Sequence, residues 1–249
     1  MIAPQEPVQA EVPMTQENLK LLSVSQLARK NFYIPHYQRG YRWDKRQVDD
    51  LLKDIDSFTP VAIDNNQQET TFYCLQPLAV KPMGLQEKIE KGFNIEEDWF
   101  EVIDGQQRLT TIFIILKYIN QMWRGRIKLA QFTLSYETRP GSPKVLNNLI
   151  VDVHDDVPKV IINNENIDYY YFSKALETIT EWERNNYPGG QVPNFEDKFL
   201  NFTKVIWYQV NENVDGRRLF ERLNLGKIPL TNSELVKALF LSEQSFPEL

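Results

Sequence analysis

Residues 99–123 read WFEVIDGQQRLTTIFIILKYINQMW, and this stretch decides the fold. Its first five residues are aromatic or apolar around one carboxylate, which predicts a strand over residues 99–103. Residues 109–123 are too many for an average strand and apolar on nearly all sides, which predicts a central buried helix despite their β-branched content. Together with the strands and helices predicted elsewhere, this strand-to-helix junction indicates the α+β class.

A second helix is predicted from its start signal. Asp44 with Gln47 three positions later forms a capping-box pattern, and four apolar residues then fall on one helical face: Val48, Leu51, Leu52 and Ile55. Residues 19–30 predict a short amphipathic helix. Residues 32–35 predict an extended segment, because the residue before a proline avoids the α region.

The remaining elements are predicted from shorter patterns. Further strands are predicted at residues 70–75, 78–81 and 205–210, and further helices at residues 167–184, 195–203 and 215–223. The polar residues 82–98 predict an inserted excursion. Gly226 is expected to end the helix that Asp215 caps, and Thr231 with Glu234 to start a final one. These patterns predict a core at residues 19–125 and a mainly helical lobe at residues 126–249.

Composition limits the class of protein. With 249 residues, 42% of them hydrophobic, the chain can bury a sizeable core. Its one cysteine, Cys74, excludes an internal disulfide, and its two histidines offer no zinc-binding spacing. The net charge of −6 gives no general footprint for a nucleic-acid backbone. Residues 1–18 predict a disordered tail, and since no signal peptide or membrane span is predicted, we expect a cytoplasmic protein.

The junction Asp104, Gly105, Gln106, Gln107 and Arg108 carries the first chemical signal. Backbone N–H groups at a helix start lack partners and attract anions, which is typical of a phosphate site. Gly105 permits close approach of a ligand, Arg108 can pair with phosphate oxygens, and Asp104 can bind a metal ion or accept a proton. The two glutamines can orient a water or a base edge. The alternative is that Asp104 only caps the helix while Arg108 pairs with a surface carboxylate.

The second signal is the loop IPHYQRGYRW at residues 34–43. Arginines bind phosphates and aromatic faces stack on bases, so the loop fits a nucleotide. The alternative is a packed loop with Tyr37 and Trp43 in the core.

A third signal is Asn224, which basic residues flank: Arg217, Arg218, Arg222 and Lys227. A solvated charged face is the alternative there.

Taken in order, three motifs resemble those of one family: IPxYQRxYxW at residues 34–43, DGQQR at residues 104–108, and Phe220 with Asn224 and Gly226. It is the GmrS-type, ParB/sulfiredoxin-like domain of GmrSD modification-dependent restriction enzymes and related phage-defence proteins. The resemblance covers roughly residues 20–241. It implies a ParB/sulfiredoxin-like αβ core with a helical second lobe.

The resemblance also implies that the domain binds and hydrolyses a nucleoside triphosphate with Mg²⁺, and that hydrolysis gates a nuclease. In such family members the nuclease is a C-terminal HNH-type domain that cuts DNA. With two histidines, this chain is expected to lack that domain, so DNA is reached indirectly through a C-terminal or separate HNH-type partner. No membrane partner is expected.

The family pattern also implies residue roles. The implied catalytic residues are Asp104, Gln107 and Arg108. The implied nucleotide-binding residues are Tyr37, Gln38, Arg39, Gly105, Gln106 and Asn224. Water attacks the γ-phosphate, Asp104 serves as Mg²⁺ ligand or base, and the arginines neutralise charge in the transition state.

Three alternatives use the same residues differently. A sensor binds the nucleotide without hydrolysing it and switches a partner. A ParB-like module contacts or nicks DNA, against which the acidic composition argues unless residues 217–227 bind it. A scaffold binds no ligand, and the three motifs then serve internal packing.

Overall fold

The structure, a computed structural model, describes residues 19–63, 70–123, 128–154, 157–188 and 193–224. Within these residues the strands are β1 (Leu19–Ser23), β2 (Asn31–Ile34), β3 (Tyr73–Pro82), β4 (Trp99–Asp104), β5 (Thr133–Tyr136), β6 (Val151–His154), β7 (Val157–Val160) and β8 (Thr203–Gln209). The helices are α1 (Val24–Leu27), α2 (Lys45–Ser57), α3 (Leu85–Lys91), α4 (Gln106–Met122), α5 (Ser142–Asn147), α6 (Ile167–Asn186), α7 (Pro193–Asp197) and α8 (Gly216–Asn224). A π-helical turn, Lys198–Phe202, joins α7 to β8.

Six strands form one mixed sheet in the order β1-β8-β3-β4-β2-β5. β2 lies parallel to β4 and β5, whereas β3 runs antiparallel to β4. β8 lies between β1 and β3, antiparallel to the first and parallel to the second. β6 and β7 form a separate antiparallel pair. This mixed sheet with its helices confirms the α+β class.

The two faces of β4 contact different apolar clusters. Successive side chains of a strand point to opposite faces, so Val102 lies in the main core while Ile103 lies in a smaller cluster. The main core also buries apolar residues of α2, α4 and α6. The smaller cluster joins Ala79, Ile103 and Val210 to apolar residues of α8. Helices α4 and α8 therefore lie on opposite faces of the sheet, both close to β4.

Elements with strong local signals are confirmed. Asp44 and Gln47 form the predicted capping box of α2, whose four apolar residues are all buried. β4 and α4 occupy the predicted strand and buried helix of residues 99–123, and α6 covers the predicted helix 167–184. Asp215 accepts the backbone N–H of Arg218 at the start of α8, at 3.1 Å.

The helix predicted over residues 19–30 is wrong. Residues Leu19–Ser23 form β1, which pairs with β8, and only Val24–Leu27 is helical. Ser23 starts α1 through a capping box with Gln26, so the chain changes from strand to helix at that residue. The apolar residues of β1 and α1 together resemble one helical face.

Three other boundaries also differ from prediction. The two strands expected around Gln76-Pro77 are one strand, β3, with an irregularity between Leu75 and Leu78 that absorbs the proline. The excursion 82–98 contains α3. The helix expected over 195–203 is α7 and the π-helical turn, and Thr203 already belongs to β8.

Two sheet strands, β5 and β8, come from the segment 126–249. The division of the chain at residue 125 stays a prediction. The predicted tail 1–18, the helix stop at Gly226 and the final helix at Thr231 lie outside the described residues.

Candidate functional site

The site begins where β4 ends at Asp104 and α4 starts at Gln106. Between them Gly105 adopts a φ of 96°, in the left-handed region that a side chain disfavours. A Cβ on Gly105 would lie 2.8 Å from Leu78 Cδ1 and 3.3 Å from Leu78 Cα. The tight turn therefore brings the start of α4 against β3 and requires glycine.

Replacing Gly105 by alanine is expected to lower the free energy of unfolding by about 1–2 kcal/mol, because a side chain strains the left-handed backbone. The contact with Leu78 adds to that cost. Gly84 is the matched control, since it precedes α3 with a φ of −67° and a Cβ there would meet nothing within 4 Å. Urea unfolding of both alanine variants gives the comparison, and equal stabilities would contradict the strain at Gly105.

Arg108 is anchored on the irregular part of β3. Its side chain is 16% exposed, and its guanidinium donates to Gln76 Oε1 at 2.6 Å and to the carbonyl oxygen of Pro77. Burial lowers the pKa of Arg108, and the nearby charge of Asp104 opposes that shift. Arg108 thus presents a fixed positive charge at the turn.

Asp104 has its side chain 48% exposed, with Oδ2 at 3.8 Å from Arg108 Nη2. The N-cap of α4 is Gly105, and no side chain caps the helix there. Asp104 is therefore not a helix cap, and its carboxylate faces a place that a ligand can reach.

The two glutamines hold the loop 38–42 against α4. Gln107 Nε2 donates to the carbonyl of Gly40 at 2.9 Å, and Gln107 Oε1 accepts the backbone N–H of Arg42 at 2.7 Å. Gln106 Nε2 donates to the carbonyl of Arg39 at 2.8 Å. Gln106 is 3% exposed, and among the described residues its Oε1 has no hydrogen-bond partner. Three hydrogen bonds therefore hold the loop against the start of α4.

Tyr37 and Gln38 attach the same loop to β4. Gln38 donates from Nε2 to the carbonyl oxygen of Val102, and the Tyr37 hydroxyl donates to Glu101 Oε1 at 2.6 Å. Burial and the hydrogen bond to Glu101 raise the pKa of Tyr37, so its hydroxyl stays a donor. Glu101 also pairs with Lys81, at 3.0 Å.

These residues enclose a cleft of about 480 Å³. Its lining is Tyr37, Gln38, Arg39, Trp43, Asp104, Gly105, Gln106, Gln107, Arg108 and Phe220. Arg39 is exposed, and within the described residues its side chain makes no hydrogen bond or ion pair. The structure thus brings the first two motifs together around one cleft, and it leaves Arg39 and Asp104 available to a ligand.

A model of the family described as "GmrSD restriction endonuclease, N-terminal domain" matches residues 21–241. The chain belongs to this family. The predicted resemblance to the GmrSD N-terminal domain is therefore confirmed, and membership indicates a restriction-type phage-defence system. In the GmrSD family this domain accompanies a C-terminal nuclease region. No curated protein matches the sequence.

The cleft of this GmrSD domain suits a magnesium ion only with help from a ligand. Among the described residues, no three histidine, cysteine or acidic side chains lie together as a metal site. Asp104 is the one carboxylate in the described lining of the cleft. Mg²⁺ commonly binds one or two carboxylates together with substrate phosphates and water. The residues present therefore fit an ion that arrives with phosphate.

The third motif lies on α8. Phe220 lines the cleft, with its ring centroid 5.2 Å from that of Tyr37. Asn224 ends α8, but its side chain lies outside the described residues, so its role stays a prediction. The basic edge is partly neutralised, because Arg217 pairs with Glu221 at 3.1 Å and Arg218 with Asp215 at 3.4 Å. This pairing weakens the case for DNA contact at the edge.

Asp168 supports the site and was missed from the sequence. Its buried carboxylate pairs with Arg42 and, at 2.7 Å, with Arg139 Nε, while Arg139 Nη1 donates to the carbonyl of Gln38 at 3.4 Å. An acidic residue in the first turn of α6 looks like an ordinary charge at a helix start. Only the fold reveals that it fixes Arg42 away from the cleft.

The alternative of an aromatic loop packed in the core is only partly found. Tyr41 is fully buried and hydrogen-bonds with Thr111, at 2.9 Å, whereas Tyr37 and Trp43 are half-buried at the cleft.

No helix in the described part of the chain is both long and apolar enough to cross a membrane. The cytoplasmic location and the ParB/sulfiredoxin-like core stay predictions.

Proposed function

We propose that the cleft binds a nucleoside triphosphate with Mg²⁺, and that its hydrolysis regulates the nuclease region of a restriction system. One observation carries this proposal: Arg39, Asp104 and the start of α4 meet in one cleft. The first turn of a helix offers unpaired N–H groups and a positive dipole end. A triphosphate with Mg²⁺ offers negative charge to Arg39 and to the start of α4, and it offers a cation to Asp104.

The phosphates would lie at the start of α4. Arg39 supplies an exposed positive charge that has no partner in the described residues, and Arg108 supplies one that is anchored on β3. Both arginines stabilise the negative charge that spreads over the transferred phosphoryl group. Bound Mg²⁺ would neutralise further phosphate charge and orient the γ-phosphate.

Asp104 is the group that acts on the attacking water. As a partly exposed carboxylate in the cleft, it holds the metal ion or takes the proton of the water, and both roles need it ionised. The water then attacks the γ-phosphorus, the bond from that phosphorus to the β–γ bridging oxygen breaks, and nucleoside diphosphate and inorganic phosphate are released. Asp104 and Arg108 are the proposed catalytic residues, and Gln107 is proposed to position the loop that carries Arg39.

A nucleotide sensor without hydrolysis is the second candidate. Both ends of the Gln107 amide are engaged by the backbone of the loop, so that side chain has little freedom to orient a water. This observation favours a sensor over a hydrolase in which Gln107 orients the water. The proposed partner in either case is a nuclease region of the HNH type. That region, and not this domain, would bind and cut the DNA.

Replacing Arg39 by alanine is expected to weaken nucleoside triphosphate binding by about 1–3 kcal/mol, because a charge-assisted contact is lost. The fold should be unaffected, since the side chain is exposed. Arg29→Ala is the matched control, because Arg29 is also exposed and does not line the cleft. Calorimetric titration measures both dissociation constants. An unaltered constant in the Arg39 variant would remove Arg39 from the site.

Calorimetric titration with each of the four ribonucleoside triphosphates and Mg²⁺, followed by phosphate-release assays, tests the function itself. Binding with turnover supports the hydrolase. Saturable binding without turnover supports the sensor. If none of the four binds, the cleft is not a nucleotide site and the DGQQR motif serves structure alone.

A further inference from the structure

We propose that the base of the bound nucleotide packs on the ring pair Tyr37–Phe220, so that a nucleoside triphosphate holds α8 against the sheet. This inference rests on the proposed function. It adds to that function the ring pair that contacts the base, Tyr37 and Phe220, and the helix whose position the base controls, α8.

The ring pair lies in the same cleft as the proposed phosphate site. Tyr37 and Phe220 both line it, with ring centroids 5.2 Å apart and planes inclined by 45°. The groups suited to phosphate are Arg39, Asp104 and the start of α4. Aromatic faces are the surfaces on which bases stack, so the phosphate and base ends of one ligand both find suitable groups.

Trp43 is the other ring available to a base. It is half-buried and packs against the main core, as part of the loop that Gln107 holds against α4. Phe220 instead belongs to α8, on the opposite face of the sheet. A base on Phe220 therefore connects α8 to the loop that carries Tyr37. A base on Trp43 would not contact α8 through that ring.

The start of α8 packs against the hydrogen-bonded side chains of Tyr37 and Glu101. A Cβ on Gly216, the first residue of α8, would lie 2.5 Å from Glu101 Oε1 and 2.9 Å from the Tyr37 hydroxyl oxygen. A side chain at this position would have to displace the Glu101 carboxylate or the Tyr37 hydroxyl. Tyr37 thus contacts α8 twice, through its hydroxyl at Gly216 and through its ring at Phe220.

Within the described residues, α8 packs outside the main core. Its apolar residues join a cluster with Ala79, Ile103 and Val210 that is separate from the main core. The rest of the helix carries exposed charges. Elements with few buried apolar contacts open at low free energy, and a ligand that binds the closed form better shifts the population towards it.

The base, and not the phosphate charge, should therefore control α8. The decisive experiment uses the full chain with Mg²⁺ and compares inorganic triphosphate with each nucleoside triphosphate, by calorimetry and by amide hydrogen exchange. We expect both kinds of ligand to bind, but only nucleoside triphosphates to slow exchange over residues 216–224. Equal slowing by inorganic triphosphate would overturn the proposal.

Two leucine variants locate the base. Phe220→Leu keeps an apolar side chain in the small cluster, and we expect it to lose the slowed exchange and about tenfold in nucleoside triphosphate affinity, with inorganic triphosphate affinity unchanged. A third, Tyr208→Leu, is the matched control and should retain both, because Tyr208 packs against the same small cluster but does not line the cleft. Loss of the slowed exchange and of affinity in Trp43→Leu, but not in Phe220→Leu, would place the base on Trp43 and overturn the proposal. If neither ligand binds the unmodified chain, the nucleotide site itself is refuted; if nucleoside triphosphates bind without affecting α8, only this inference fails.

Discussion

Replacing Asp104 by alanine is expected to lower the rate of phosphate release by about 10²–10⁴-fold, the range found when a positioned acid or base is removed. Asp104 lines the cleft, is about half exposed and caps no helix. Its loss therefore removes the group proposed to hold the metal ion or take the proton, without removing a structural contact of the described fold other than a long ion pair. Thermal unfolding of the variant should match that of the unmodified chain.

Asp50 provides a control with the same local geometry. Its Oδ2 lies 3.8 Å from the guanidinium of Arg46 four residues before it, as Asp104 lies 3.8 Å from that of Arg108 four residues after it. Asp50 is on α2, outside the cleft, so Asp50→Ala should leave turnover unchanged. Normal turnover in the Asp104 variant, with a catalytically active unmodified protein, would refute the mechanism proposed for this carboxylate.

Replacing Asp168 by alanine is expected to lower the free energy of unfolding by about 3–5 kcal/mol, the range found when one partner of a buried ion pair is removed. The Asp168 side chain is 7% exposed, and both Arg42 and Arg139 depend on it for a counter-charge. Urea unfolding measures the change. Asp168→Asn keeps the shape of the side chain and should fall between the unmodified chain and the alanine variant.

The control for Asp168 is an exposed pair. Glu221 and Arg217 lie at 3.1 Å with both side chains more than half exposed, and surface pairs contribute about 0–1 kcal/mol. Glu221→Ala should therefore change stability little. If the Asp168 and Glu221 variants lose equal stability, the carboxylate at Asp168 does not hold the loop and α6 together.

The parts of the fold that sequence predicted are those with local signals. Asp44 and Gln47 mark the start of α2 within four residues, and β4 and α4 are two largely apolar stretches on either side of residues 104–108. The sequence predicts helix where β1 forms, because its partner β8 is far along the chain and no local pattern shows that pairing. Tertiary pairing overrides weak local propensity in such short segments.

The candidate site follows the same rule. The motifs pointed to Arg39, Asp104 and Arg108, and the fold places all three at one cleft. The sequence does not show which of the polar residues are structural. Gln107 and Asp168 hold the loop, and Arg42 pairs with Asp168 instead of lining the cleft. These roles depend on contacts between distant segments, which motif spacing does not record.

The position of β8 between β1 and β3 sets an order for folding during synthesis. β1 pairs with β8, and β3 reaches β1 only through β8, although β1 and β3 are made long before residues Thr203–Gln209. Until then both strands keep unpaired edges, and such edges associate readily with other chains. Closing a sheet across so long a separation in sequence is slow. A ribosome making this protein therefore carries an unfinished sheet until β8 emerges, and that interval is when the chain is most exposed to aggregation.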